Sequence, residues 1–549
     1  MQEAQAQIAE ATQGSAREGV RDVERLLSTT IQRKLQSIDD LVRGRSDQFD
    51  VDMLMLHATS LSLLRAPNDA ILASYNQMIA AYPWFVPALT HKAALLARSG
   101  DWEHALDAAQ RALDAENDNF DALSTIAVHA FTQESQPHDA LSKFEDLVRV
   151  LQEREPTSVT LAVETAALFS SICARQPRAL QMCAKLLEKA KKHSRDDEEC
   201  AKLLVQLGHV HVLQGILAYE SAMSVFKEAS KLDPNSVAAL EGMILCQLSE
   251  GLFEDAEGQI ELLAVMHSVD ELSPEFYYLK AMLAKYHMSE LEKSNARAGH
   301  EGNASHENLH LACLNDCRER FLARVSSQPD HLVLCSNAGG GAVSARFSPF
   351  NYLIANSSDF LMCMAVDYLG YTDSGSITLN LFGKAGGKPD AVDVADGQAE
   401  LESTTLITGM TGAGMTMIGG TGLASPTRLT KAGKGARTGG QANSQAQQQQ
   451  VVEMPPPVLV GMELLNRTLK QCPGLTCTYI ELARTYMHHS MYEEAVRTLH
   501  QCLSLNPHCS AALLFMSQIE VKRFDTPAAN RAVEQALSCD FNIRTSTLF

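Results

Sequence analysis

Four side chains able to ligate a transition metal stand at helical spacing in one stretch: His306, His310, Cys313 and Cys317. Structural zinc takes four tetrahedral nitrogen or sulfur ligands. Eleven residues of straight helix extend about 16 Å, so such a helix offers one ion only a neighbouring pair. The stretch therefore reads as a partly buried helix stripe with histidine at its wet start. His488-His489 falls at the end of a helix before a turn, where imidazole is favourable beside unpaired carbonyls. Gly387-Lys388 and Gly433-Lys434 invite a phosphate-loop reading, but Pro389 and Gly435 follow them and no glycine precedes at the needed spacing. Gly412 and Gly414 lack a third glycine, because Met417 takes its place. The basic cluster Lys185, Lys189, Lys191, Lys192 and Arg195 runs straight into Asp196, Asp197, Glu198 and Glu199, which reads as a solvated helix end. No paired carboxylates, nucleophile elbow or Ser/His/Asp spacing is present. The residues nominate no catalytic group, no metal and no cofactor, and the expectation is a protein without enzymatic activity.

Charge and cysteine usage narrow the classes further. Of 549 residues, 46 are Lys or Arg and 66 are Asp or Glu, a net charge of −20. That sign opposes neutralisation of nucleic-acid phosphates. Thirteen scattered cysteines without a CxxC pair fit reduced intracellular thiols. No basic-then-apolar leader opens the sequence, and no apolar run approaches the roughly 20 residues of a membrane span. The chain reads as soluble.

The elements that position these residues repeat. Ala70, Ala105 and Ala140 recur 35 residues apart, while Ala222 and Ala256, Pro473 and Pro507, and Ala495 and Ala529 each stand 34 apart. This is the tetratricopeptide period. The clearest copy runs from Thr476 to Cys509, with Tyr479, Leu482, Ala483 and Tyr486 on a first helix, Ala495, Leu499 and Cys502 on a second, then Pro507. Ala495 is small because two antiparallel helices cross there, and Pro507 cannot continue the second helix. Leu207-Gly208 with Ala222, Phe226, Ala229 and Pro234 repeats the pattern. Ala179 lies 39 residues after Ala140 and 43 before Ala222, which predicts longer turns in that region. A chain in which each repeat covers only its neighbours predicts stability as a sum of nearest-neighbour terms.

The expected fold is all-α, a tetratricopeptide repeat superhelical solenoid of antiparallel helix hairpins interrupted by a disordered insertion. Residues 1–50 read as a helical segment of uncertain phase, 51–290 as a repeat array, 291–308 as a polar linker and 309–370 as non-repeat helices, one of them running from Ala355 to Tyr368. Residues 371–457 read as a low-complexity Gly/Gln/Pro-rich disordered insertion, with ten glycines between Gly409 and Gly440, and 458–549 as a C-terminal repeat array.

Departures from the repeat carry a resemblance. The segments NQMIAAYPWFVPAL, GDWEHALDAAQRAL, ALEGMILCQLSEGLFEDAEGQIELL, SPFNYLIANSSDFLMCMAVDYL and LLNRTLKQCPGLTCTYIELARTYMHHSMYEEAVRTLHQCLSLNPHCSAALLFMSQ resemble the tetratricopeptide repeat protein 21 family, from about Asp50 to Arg544 without the insertion. The non-repeat stretch Ser357 to Leu369 is the most specific part, and it reads as a packing junction with Phe360 and Tyr368 facing inward. The resemblance implies a non-enzymatic scaffold subunit of intraflagellar transport complex A. It implies a role in retrograde intraciliary transport and protein localisation to cilia, and protein partners among the β-propeller-containing subunits of that complex. The implied location is the cilium or flagellum and its basal region, with cytoplasm and cytoskeleton. It implies no nucleic acid, membrane insertion or small-molecule substrate. Family members extend beyond both ends, so the sequence reads as an internal portion or truncated form.

Rival readings are a co-chaperone clamp, a glycosyltransferase-linked array, the regulatory array of an enzyme and a cell-cycle ubiquitin-ligase scaffold. The expected inward positions Thr90, Ala94, Val205, His209, Glu241, Leu245, Ile480 and Arg484 form neither a carboxylate clamp nor an asparagine ladder. The ligase scaffold, also acidic and non-enzymatic, stays open.

Overall fold

The computed structural model describes residue 33 and residues 51–63, 66–134, 136–266, 272–298, 304–327, 350–370 and 454–539. Residues 1–50, apart from residue 33, and the expected insertion up to residue 453 lie outside the described residues. Two helices open the array, α1 (Val51–Leu63) and α2 (Asn68–Ala81). Antiparallel hairpins follow: α3 (Val86–Ser99) with α4 (Trp102–Ala115), α5 (Phe120–Thr132) with α6 (Pro137–Arg154), and α7 (Val159–Ile172) with α8 (Pro177–Lys191). Next come α9 (Asp197–Gln214) with α10 (Tyr219–Leu232) and α11 (Val237–Glu250) with α12 (Phe253–Met266). A longer pair, α13 (Pro274–Ala298) and α14 (Ala304–Ser327), precedes the short α15 (Asn351–Ala355) and α16 (Ser358–Leu369). The C-terminal array holds α17 (Pro456–Gln471), α18 (Thr476–His488), α19 (Tyr492–Leu505), α20 (Ser510–Lys522) and α21 (Thr526–Cys539). The fold is an all-α tetratricopeptide-type solenoid. Among the described residues no helix is long and apolar enough to cross a membrane.

Local chemistry sets the boundaries. Asp101, Asn119, Ser158, Ser236 and Ser357 each accept a hydrogen bond from a first-turn amide, and prolines sit in the first turn of α3, α6, α8 and α17, where a missing N–H costs nothing. The backbone turns left-handed two residues before a second helix, at Gly100 (φ 84°) and Gly251 (φ 80°). Arg175, Ser490 and Phe524 hold the same place with φ of 60°, 60° and 63°, without glycine's freedom.

Second-helix alanines lie where the hairpins cross. Ala105, Ala140, Ala222, Ala256, Ala495 and Ala529 are each the fourth residue of their helix and are buried. Ala70 departs from this set. It is exposed, and Ile71, fourth in α2 and 34 residues before Ala105, holds the buried position. The turns expected around Ala179 are longer chiefly because the helices are: α6 and α9 each have 18 residues where most neighbours have 14. Pro234 and Pro507 are exposed in the turns after α10 and α19.

Three boundaries differ from the sequence reading. The expected linker 291–308 is helical to Ala298 and again from Ala304, because SELEKSNARA, although polar, consists largely of residues that tolerate or favour helix. The expected helix from Ala355 is broken: Asn356 turns its side chain back to the Tyr352 carbonyl (2.8 Å), and Ser357 starts α16 afresh. The prolines expected to close the insertion instead open α17, with Pro456 and Pro457 in its first turn.

One close approach governs the middle of the array. Leu207 and Gly208 on α9 are buried, and the fully buried Phe226 ring of α10 packs against Gly208. A Cβ built on Gly208 would stand 2.5 Å from the ring, and one on Gly242 of α11 would come closer still. Two glycines 34 residues apart thus admit one phenyl ring between consecutive first helices. Gly242→Ala should lower unfolding free energy by about 1–3 kcal/mol through overpacking, despite gaining roughly 1 kcal/mol of helix propensity. Gly258→Ala on α12, with nothing within 4 Å of the new methyl, should be neutral or stabilising. Urea melts of the two variants check the pair, and equal effects would contradict the packing.

Candidate functional site

The metal reading finds no support in the arrangement. His306, His310, Cys313 and Cys317 all fall on α14, the His310 Nδ1 donates to the Ala281 carbonyl at 2.9 Å, and Cys317 contacts the Met364 sulfur at 3.4 Å. Among the described residues no group of three His, Cys, Asp or Glu side chains is placed to hold a metal ion. Two members of the basic cluster are engaged: Lys191 pairs with Glu228 (2.8 Å) and Lys189 donates to the Gln152 side-chain carbonyl oxygen (2.8 Å).

The structure converges instead on α15 and α16. Phe350 and Leu353 enter the apolar cluster of α5 to α9, while Leu361 to Leu369 enter the cluster built from α10 to α14 and α17. Polar contacts then fix the register of α16. Ser358 donates to the Ser171 carbonyl at 2.7 Å, which anchors its first turn on the end of α7. Asp359 accepts two bonds from Arg175, at 2.5 Å and 2.8 Å, and the same guanidinium reaches the Cys363 sulfur at 3.4 Å. At the other end Asp367 accepts from Tyr278 (2.7 Å) and Lys285 (2.6 Å) of α13, and Tyr368 donates to Asn315 of α14 (2.8 Å). Tyr368 is buried; Phe360 is half-buried, with its ring 5.4 Å from Tyr278 and 5.6 Å from Phe321.

The arrangement also holds the second array. Gly461 lets α17 approach α16 closely, since a Cβ there would meet the Ala365 carbonyl and Leu369 at 3.0 Å. Thr478 of α18 contacts the Met362 sulfur at 3.3 Å, and Arg467 of α17 binds Asn356 at 3.1 Å. A further contact skips α16 altogether: the Gly474 amide donates to the Thr132 carbonyl at 2.8 Å, so the turn before α18 rests on the end of α5. Any side chain at Gly474 would strike the Glu134 carbonyl. The nearest-neighbour expectation is therefore overturned at this junction, where residues more than 300 positions apart touch.

Electrostatics follow from burial. Burial alone disfavours the Arg175 charge, but Asp359 and the Cys363 sulfur outweigh it and hold its pKa above the ordinary value. Burial pushes the Cys363 thiol up to about 12 and lifts the Tyr278 phenol well above its usual range. Two of the expected inward positions have shifted acidity: burial lowers the pKa of the His209 imidazole, opposed in part by Glu275, and that of Glu241 moves the other way. Burial raises its carboxyl to about 7, opposed in part by the Ser273 hydroxyl that donates to it, and Glu275 raises it while Arg324 lowers it. Ser273 also caps α13 through the Phe276 amide (3.0 Å), so Glu241 ties α11 to the start of α13.

Residues 142–297 match the family model described as the tetratricopeptide repeat protein 21 second ARM domain. Tetratricopeptide repeat protein 21B of Homo sapiens is 34% identical over 241 residues, covering 44% of this chain and 18% of that protein. Tetratricopeptide repeat protein 21A of Mus musculus is 29% identical over 249 residues, covering 45% and 18%. Over these residues the chain is similar to the tetratricopeptide repeat protein 21 family. It spans about a fifth of the length of the curated relatives it matches. The alignable portion is about half of the chain, narrower than the Asp50 to Arg544 resemblance. Among solved structures, a tetratricopeptide repeat protein from Parabacteroides merdae aligns with TM-score 0.32 and 15% identity over 51% of this chain and all of that one. The anaphase-promoting complex hetero-tetramer Cut9-Hcn1 aligns with TM-score 0.30 and 11% identity over 90% and 74%. The family match holds Arg175, Tyr278 and Lys285, and their partners Asp359 and Asp367 lie beyond it.

Sequence reasoning singled out α16 and Phe226 but missed Arg175, Gly242 and Gly474. Gly242 stands one period after Gly208 and was open to discovery by that spacing. Arg175 stands where Gly100 and Gly251 stand in other hairpins, a substitution visible once the hairpins are aligned. Gly474 carries no signal, since its constraint comes from α5.

Two outcomes test the junction. Arg175→Met should cost about 3 kcal/mol, because it leaves Asp359 unpaired in a largely dry contact, and Arg175→Met with Asp359→Leu should recover much of it. Urea titrations of both read the difference. The Glu241 carboxyl binds its proton more tightly folded than unfolded. Its stability contribution is full below the unfolded value of 4.5 and is lost as pH rises through about 7. Relative to the wild type, Glu241→Gln should gain roughly 3 kcal/mol between pH 4.5 and pH 8, read as the difference of two stability-pH curves.

Proposed function

We propose that this chain is a non-enzymatic scaffold portion of a subunit of intraflagellar transport complex A, supporting retrograde intraciliary transport and protein localisation to cilia. Similarity to the tetratricopeptide repeat protein 21 family supports the reading, through the match over residues 142–297 and 34% identity over 241 residues to a human family member. Helical-repeat arrays act by presenting extended surfaces to other proteins, and the α16 junction adds a fixed angle between two such arrays. The partners are the β-propeller-containing subunits of the complex, bound without nucleic acid, membrane insertion, small molecule or cofactor. The place of action is the cilium or flagellum and its basal region, with a cytoplasmic and cytoskeletal pool. Charge supports protein partners, since −20 repels phosphate backbones.

Depletion in a flagellated cell is the test. Accumulation of transport particles at the tip, with short or bulbous flagella, and co-purification of complex A subunits with the tagged protein are expected. Normal flagella with mitotic arrest, and ligase subunits in the purification, would replace the reading with the ubiquitin-ligase scaffold.

A further inference from the structure

Helix α12 turns outward a strip that the other helices with alanine in fourth place do not carry. Gly258, Leu262 and Val265 follow Ala256 at i, i+4, i+7 spacing, which lines them along one helix face for about 10 Å. All three are exposed, Leu262 to 53% and Val265 to 84%. The same three places hold Asp107, Arg111 and Asp114 on α4 and Ser224, Glu228 and Lys231 on α10, and α6, α19 and α21 are likewise polar at each of them. In the place of Leu262, Glu228 pairs with Lys191 of α8 at 2.8 Å, a bond that leucine cannot form. Gly258 adds a second, independent oddity. Glycine inside an exposed helix costs about 1 kcal/mol against alanine. Gly208, Gly242 and Gly461 each have a close neighbour that requires glycine, whereas nothing lies within 4 Å of a Cβ built on Gly258. Acidic side chains border the strip: Glu254 and Glu261 on one side and Asp255 on the other, all exposed, while Glu257 turns toward His287 of α13 at 3.8 Å. From Val237 to Met266 there is no Lys, Arg or His.

We propose that this face of α12 docks an amphipathic, basic helix of another protein. Apolar anchors of that helix seat beside Leu262 and Val265, and its Lys or Arg side chains meet Glu254, Asp255 and Glu261. Anchors at i, i+4 and i+7 match the repeat of a helix laid along the strip. The missing side chain at Gly258 lets the two axes approach toward the short end of the 8–10 Å range of packed helices, which gives the glycine the packing reason it lacks within the chain. Charge selects the occupant. A second copy of this chain would bring one acidic border against another, and an anionic lipid surface would be repelled in the same way, whereas a basic helix is attracted on both sides. The surface is independent of the assembly proposed above, so the two readings stand or fall separately.

The test uses the full chain and two fluorescein-labelled synthetic helical peptides that share one leucine stripe, flanked by Lys in the first and by Glu in the second. Fluorescence anisotropy should show binding of the Lys peptide alone, weakening as salt is raised. Leu262→Gln with Val265→Gln should reduce its affinity at least tenfold, and Glu254→Gln with Glu261→Gln should remove most of the salt dependence. Gly258→Leu should weaken binding several-fold while its urea midpoint stays the same or rises, which separates loss of the docking gap from loss of folding. Asp107→Asn with Asp114→Asn, at the matching places of α4, should change nothing. Equal binding of the two peptides, binding of neither, or the same affinity after Leu262→Gln with Val265→Gln would overturn the proposal. So would a dimer in sedimentation velocity that disappears with those two substitutions, since the occupant would then be a second copy.

Discussion

The bidentate pairing of Arg175 with Asp359 is the contact on which the rest of this architecture turns. It joins a hairpin turn of the N-terminal array to the first turn of a helix 184 residues later in the chain. Arg175 also holds a left-handed conformation that glycine takes elsewhere, at a cost of order 1–3 kcal/mol. Such strain persists only where the surroundings over-determine it, and here a carboxylate, a cysteine sulfur and the end of α7 do so.

From that contact the departure from a one-dimensional solenoid follows. In a plain repeat array each hairpin leans on its neighbours, and coupling decays along the chain. Here α16 is fixed at one end by α7 through Ser358 and by the turn after α7 through Asp359, and at the other by α13 and α14 through Asp367 and Tyr368. Helix α17 then packs on α16 at glycine distance, and the turn after it reaches back to the end of α5. The arrays before and after residues 371–453 are therefore held by contacts on both sides of α16, whatever the intervening segment does.

Sequence made the hairpins legible because their cause is local. Small fourth residues, capping side chains and first-turn prolines are all written within a few positions of the element they shape, so the 34-residue period shows through even where α6 and α9 lengthen it. Ala70 misled because an alanine beside Ile71 mimics the period one residue out of phase. Polarity misled at 291–308, since composition alone does not separate a polar helix from a linker. The junction was legible as a helix out of register with the repeats, yet its partners were not: nothing in the spacing of Arg175 or Gly474 names a residue 184 or 342 positions away.

A rigid angle between arrays bears on how a scaffold works. A hairpin array alone offers a surface whose curvature yields easily, because each interface contributes a small independent rotation. Binding several partners at once then costs the entropy of fixing those rotations. A junction that ties α7, α13, α14 and α17 to one short helix, with α5 held by the turn before α18, fixes them beforehand, so partners seated on either array meet at a set separation. Shape comes from packed groups such as Phe226, Gly474 and Asp359, and recognition is left to the exposed faces that the repeats leave free to vary.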